Sequence, residues 1–179
     1  MGEPPMGQPL PIERVFRERR LALGLGLDAV AAVVGTTYGA ISHWELGRRR
    51  MTLAYAYAYG AALGVRPVLV AGAHCPVAPE ACPLPGPHMT AQARLPIVRQ
   101  LRATRRQQQV TVTDLAARLW VHRVSVSSWE AGRRTLYVEQ AHTYADVLGL
   151  VLTVEEISPS GSTLVGTGAP ASQPSGGLR

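Results

Sequence analysis

The sequence predicts an all-α protein made of two tandem copies of one small module, four to five short helices each, joined by a proline-rich linker. Three observations predict it. The phrase Ser42-His43-Trp44-Glu45-Leu46-Gly47-Arg48-Arg49 returns further on as Ser127-Ser128-Trp129-Glu130-Ala131-Gly132-Arg133-Arg134. The same offset carries Pro11-Ile12 onto Pro96-Ile97, and Arg14, Arg17 and Arg20 onto Arg99, Arg102 and Arg105. It also carries Ala31-Ala32 onto Ala116-Ala117 and Leu63-Gly64 onto Leu148-Gly149. A gapless repeat of this length is one folding unit used twice. Within each copy, apolar residues recur at helical spacing. Between the copies, residues 71–93 are rich in proline and almost uncharged, the composition of a partly extended linker.

Residues 1–10 are rich in Pro and Gly and read as a flexible arm. The first copy spans 11–70 and the second 94–157, each of a size that folds alone only marginally. In the second copy, Leu95 to Arg106 is a first helix with Val98, Leu101 and Arg105 on one face. Thr111 caps a second helix, with Asp114 three residues on completing a capping box. Leu115, Ala116 and Leu119 form the inner face of that helix. A turn at Trp120-Val121-His122 leads to a third helix, Arg123 to Glu130, with Val126 and Trp129 inward. Gly132 ends it, since glycine takes the left-handed conformation cheaply. A fourth helix begins near Val138, carries Ala141, Tyr144, Ala145 and Leu148 inward, and closes at Gly149. The first copy repeats the plan, but Gly26 stands where Thr111 caps, so its second helix starts less firmly. Tyr55-Ala56-Tyr57-Ala58-Tyr59 alternates like a strand but aligns with the fourth helix, and is read as helix. These tyrosines cannot all face one core, so one or two lie on a surface, packing locally, against the other copy or against a second chain. Residues 158–179 are mostly Ser, Gly, Pro and Thr, a tail disordered by composition.

The net charge is +6 and the pI about 10, which suits an acidic partner. Both copies are mildly basic, with eight arginines against four acids over 11–70 and nine against six over 94–157, as expected if both touch nucleic acid. All 18 basic residues are arginine. GC-rich coding is the simpler explanation and phosphate recognition the functional one. Two cysteines make no disulfide framework. The opening residues carry no signal pattern. The uncharged run from Met51 to Val65 is too short to span a membrane. A cytoplasmic, nucleoid-associated protein is expected, with no membrane partner.

Helix, tight turn, helix, with Leu115-Ala116 or Val30-Ala31 on the first and Trp-Glu-x-Gly-Arg-Arg closing the second, resembles the Cro and lambda-repressor family of helix-turn-helix domains. The resemblance covers both copies, about two-thirds of the chain. It implies recognition helices near 38–45 and 123–130 that lie in the major groove of double-stranded DNA. It places Arg123, Val124, Ser125 and Ser128 outward in the second copy, and Tyr38, Gly39, Ala40 and His43 in the first. An arginine can fork onto guanine O6 and N7, and a valine can meet a thymine methyl. The second copy is therefore expected to read more sequence, and the first more shape and backbone. Arg48, Arg49, Arg133 and Arg134 are expected on phosphates, which set register rather than sequence; Arg50 is read as solvated. The resemblance also implies that Arg20 pairs with Glu45 and Arg105 with Glu130. Trp44 and Trp129 are expected in the core rather than under bases.

Other signals are weaker. Gly24-Leu25-Gly26-Leu27-Asp28-Ala29 fits a dinucleotide-binding fingerprint, which needs a preceding strand where a helix is expected. His74, Cys75, Cys82 and His88 match no zinc-finger spacing. No cofactor, metal or catalytic residue is expected, and nothing supports an enzyme. The expected function is that of a sequence-specific transcriptional regulator, a repressor. The alternative is an antitoxin-like protein-interaction module whose DNA binding is autoregulatory, with linker and tail engaging a protein partner. Half-sites in this family lie about 34 Å apart. A linker of about 20 residues could reach roughly 60 Å, so one chain could span them; a homodimer presenting four modules is the other arrangement.

Overall fold

Why the chain forms short helices is visible at their ends. In the computed structural model, which describes residues 11–72, 91 and 94–157, the first copy contains α1 (Pro11–Ala22), α2 (Leu27–Val34), α3 (Tyr38–Glu45) and α4 (Leu53–Ala62), followed by the strand β1 (Val65–Ala71). The second contains α5 (Pro96–Gln107), α6 (Val112–Arg118), α7 (Arg123–Glu130) and α8 (Val138–Val147), followed by β2 (Leu150–Glu156). Side-chain oxygens of Thr37, Thr52 and Thr111 accept amide hydrogens at the starts of α3, α4 and α6, which satisfies donors that have no partner inside the helix. Gly26 precedes α2 with extended backbone and no such bond. Gly47 and Gly132 both take a left-handed backbone and reverse the chain after α3 and α7. The arm, the tail, and His74, Cys75, Cys82 and His88 of the linker lie outside the described residues.

The expected helices form, and a two-stranded sheet is added to them. β1 and β2 pair antiparallel from Val65 with Glu156 to Ala71 with Leu150. Each strand is a short aliphatic run beside a helix end, and its partner is supplied by the other copy. Leu69 and Leu152, opposite one another, face the helices and are buried. Arg66 and Glu155, also opposite, pair on the outer face. One continuous core runs from Ile12, Phe16 and Trp44 through Leu53, Leu69 and Leu152 to Trp129 and Leu101. The copies therefore share an interior, and their separation is set by this packing rather than by the linker.

The docking is self-complementary. Val68 pairs with Thr153, its own counterpart in the repeat, at the middle of the ladder. An isolated bridge joins Thr52 to Tyr137, again counterparts. The Leu53 amide donates to the Leu136 carbonyl at 3.1 Å, and the Val138 amide to the Met51 carbonyl at 2.9 Å. The Gly72 amide donates to the Gly149 carbonyl and the Ile157 amide to the Gly64 carbonyl, both at 2.9 Å. Exchanging the copies maps each bond of a pair onto the other. This is the signature of an isologous, two-fold interface, here closed within one chain.

Contacts outside the duplicated set lock the arrangement. The Tyr57 hydroxyl of α4 accepts the Ile97 amide at 3.2 Å, so the middle tyrosine packs on the other copy. Burial, partly offset by that amide and by Arg66, pushes its hydroxyl up to about 12. Tyr55 stays partly exposed with its ring 4.9 Å from Trp44, while Tyr59 is buried against Phe16. Arg50, read from sequence as solvated, is exposed and also sits 4.6 Å over the Tyr137 ring and 3.6 Å from Glu139.

Candidate nucleic-acid interface

The helices α3 and α7 are each held by the same buried network. In the second copy, Nε and Nη2 of Arg105, on α5, donate to the two carboxylate oxygens of Glu130 at 2.6 and 2.8 Å. Nη1 donates to the Val110 carbonyl at 2.8 Å, and the Tyr144 hydroxyl on α8 donates to Glu130 at 2.6 Å. In the first copy Arg20 makes the same fork to Glu45 at 2.7 and 2.8 Å and reaches the Leu25 carbonyl at 2.9 Å, while Tyr59 donates to Glu45. The fork matches guanidinium to carboxylate geometry, and such buried charges are tolerable because they are paired and hydrogen-bonded. The last turn of α3 or α7 is thus clamped to two other helices of its copy.

Burial raises the Glu130 carboxyl, but hydrogen bonds from Arg105 and Tyr144 and the charges of Arg105 and Arg102 outweigh it. The group titrates below the ordinary carboxylate range. Burial, followed by the charge and hydrogen bond of Glu130, pushes the Tyr144 hydroxyl far up, and burial with Glu45 does the same to Tyr59. Both acids are enclosed and hydrogen-bonded, and each ties the last turn of its helix to two others of its copy. The part played by the tyrosines escaped the sequence reading. They too are counterparts in the repeat, which already held the signal that could have found them.

The outward residues differ between the copies. In α7, Arg123 and Val124 are exposed, and Ser125 and Ser128 are half-buried. In α3, Tyr38 and His43 are exposed and Gly39 is half-buried, but Ala40 is buried and faces the core. Ala40 therefore cannot reach a base edge. It is a packing residue of the core. His122 caps α7, its Nδ1 accepting the Val124 amide at 3.3 Å. Arg48, Arg49, Arg133 and Arg134 are exposed on the loops after α3 and α7. The amides of Arg48 and Arg49 bond the His43 carbonyl, and those of Arg133 and Arg134 the Ser128 carbonyl, so the two loops share one shape. Arg134 also reaches back to the Ser125 hydroxyl at 3.3 Å. Trp44 and Trp129 are buried, as core anchors must be.

The turns before α3 and α7 each hold a residue in the left-handed region: Gly35 at φ 73° in the first copy and Trp120 at φ 54° in the second. Trp120 is 91% exposed, with Val124 one turn on. The glycine fingerprint at Gly24–Ala29 follows helix α1 rather than a strand, so it lacks the setting that dinucleotide binding requires.

The family model described as helix-turn-helix matches the chain twice, over residues 16–70 and 101–153. The chain belongs to this Cro/C1-type helix-turn-helix family of DNA-binding transcription regulators. No curated protein and no solved structure matches it. Among the described residues, no helix is long and apolar enough to cross a membrane, and no group of three or more His, Cys, Asp or Glu is placed to hold a metal ion.

Proposed function

We propose that the protein is a sequence-specific repressor that lays α3 and α7 in the major groove of its operator. The observation that carries this reading is the presentation of both helices. Each is clamped from behind by an Arg–Glu–Tyr network, while Tyr38 and His43 on α3, Arg123 and Val124 on α7 and the arginine pair after each helix stay exposed. Arg123 and Val124 read bases in the second half-site, with Ser125 and Ser128 beside them. Tyr38, Gly39 and His43 meet the first half-site through shape and backbone. Arg48, Arg49, Arg133 and Arg134 grip phosphates on either side. Repression follows if the operator overlaps a promoter, since a chain covering both grooves excludes polymerase.

Selection of bound duplexes from a random library, followed by affinity measurement across salt, tests this. Arg123→Ala should relax one base position at roughly 1–3 kcal/mol. Arg133→Ala should weaken every sequence alike and make the salt dependence shallower by about one charge. Uniform loss from both variants, or no enriched sequence, would overturn the assignment of roles.

A further inference from the structure

We propose that one chain is a covalently closed dimer, built to occupy a single inverted repeat whose two arms differ in sequence, with the spacing between arms fixed by the docked sheet. This deepens the DNA-binding reading above and rests on it.

Residues along the seam meet their own counterparts. Only an axis of two-fold rotation brings a position of one copy beside the same position of the other and at the same time makes every off-axis contact reciprocal. Val68 with Thr153 and Thr52 with Tyr137 mark two points on that axis. The reciprocal bonds Leu53 to Leu136 and Val138 to Met51 flank one point, and Gly72 to Gly149 and Ile157 to Gly64 flank the other. A translation of one copy along the duplex, which a direct repeat demands, would place none of these counterparts together. A rotation relates α3 to α7 in opposite senses, and B-DNA offers matching dyads only to inverted half-sites.

The rotation is broken on the groove-facing side, where Tyr38, Gly39 and His43 stand opposite Arg123, Val124 and Ser128 in the repeat. The arms of the site must therefore differ, and the complex has a polarity that a homodimer lacks. The rotation is also broken at the lock, because the residue types of Tyr57 with Ile97 and of Arg50 with Tyr137 are not duplicated. These contacts, with the shared core, hold the two helices at one separation whatever length of linker joins the copies.

The test uses the full-length chain. The duplex enriched from a random library should be an inverted repeat with unlike arms, and sedimentation at tight-binding concentration should give one chain per duplex. Inserting two base pairs at its centre displaces one arm by about 7 Å, at roughly 3.4 Å each, and rotates it by about a fifth of a turn. Affinity should fall roughly 100-fold, as the second arm is lost. Inserting a full helical turn should not restore it. Arg123→Ala should relax one arm and leave the other unchanged. A direct repeat, a complex of two chains, recovery on inserting a full turn, or relaxation of both arms by Arg123→Ala would each overturn the closed-dimer proposal while leaving DNA binding intact. Absence of any enriched sequence would instead overturn the DNA-binding reading and this proposal with it.

Discussion

In the turn before α7, Trp120 holds φ 54° with its ring in solvent. A non-glycine residue there crowds its Cβ against the following carbonyl, at roughly 1–2 kcal/mol. Gly35 does the same job in the first copy without that contact, and a Cβ added to it would meet nothing within 4 Å. Its cost would be backbone strain alone. Trp120→Gly should therefore stabilise the fold by about 0.5–1 kcal/mol, and Gly35→Ala should destabilise it by about 1 kcal/mol. Urea midpoints read both; equal signs would contradict the strain account. Glu130 gives the other residue-scale expectation. Its folded pKa is lowered from the ordinary value of 4.5. Its contribution to stability is therefore complete above that value and is lost as pH falls through the lower folded one. The wild type should lose stability across that acid window more steeply than Glu130→Gln does, measured by urea melts from neutral pH downwards. Parallel pH profiles would mean the network does not set the carboxyl.

At the scale of elements, helices were legible and strands were not, for a physical reason. α3 and α7 were bounded by local chemistry: Gly47 and Gly132 close them, and inward Trp44 and Trp129 set their faces. Leu150-Val151-Leu152 has no such marking. A short apolar run serves buried strand and buried helix alike, and the partner that decides it lies in the other copy. The outward set for α3 failed at Ala40 because carrying positions over from the family ignores which side a given crossing buries. The arginine–glutamate pairs were legible through the resemblance, whereas Tyr59 and Tyr144 needed the offset applied to a further helix. Local capping can be tested directly. The Thr111 hydroxyl accepts the Asp114 amide at 3.1 Å and also donates to the Asp114 carboxylate. Thr111→Ala should cost about 1 kcal/mol. Gly26→Ser, at the uncapped start of α2, should gain a few tenths. Thermal midpoints moving in the same direction for both variants would contradict the capping account.

For the whole molecule, the repeat and its proline-rich interval predict two copies and a linker, and from that alone two beads on a string is the natural picture. What the chain order could not show is that the copies meet along a self-complementary seam. The consequence is thermodynamic. A unit of about 60 residues is marginal alone. Here each supplies part of the other's interior, with Leu69 and Leu152 buried opposite one another in the sheet. Neither copy can open without exposing that surface. The chain should unfold in one transition, with calorimetric and van't Hoff enthalpies equal. Its two buried tryptophans make the test specific, because Trp44 reports on one copy and Trp129 on the other once exposed Trp120 is replaced by Phe. Leu152→Ala removes packing from the second copy's strand and should cost about 2–5 kcal/mol. Followed in Trp44→Phe and Trp129→Phe backgrounds, that loss should appear equally at both reporters. If the first copy kept its midpoint while the second lost stability, the seam would be too weak to couple them, and the spacing of α3 and α7 would fall back on the linker.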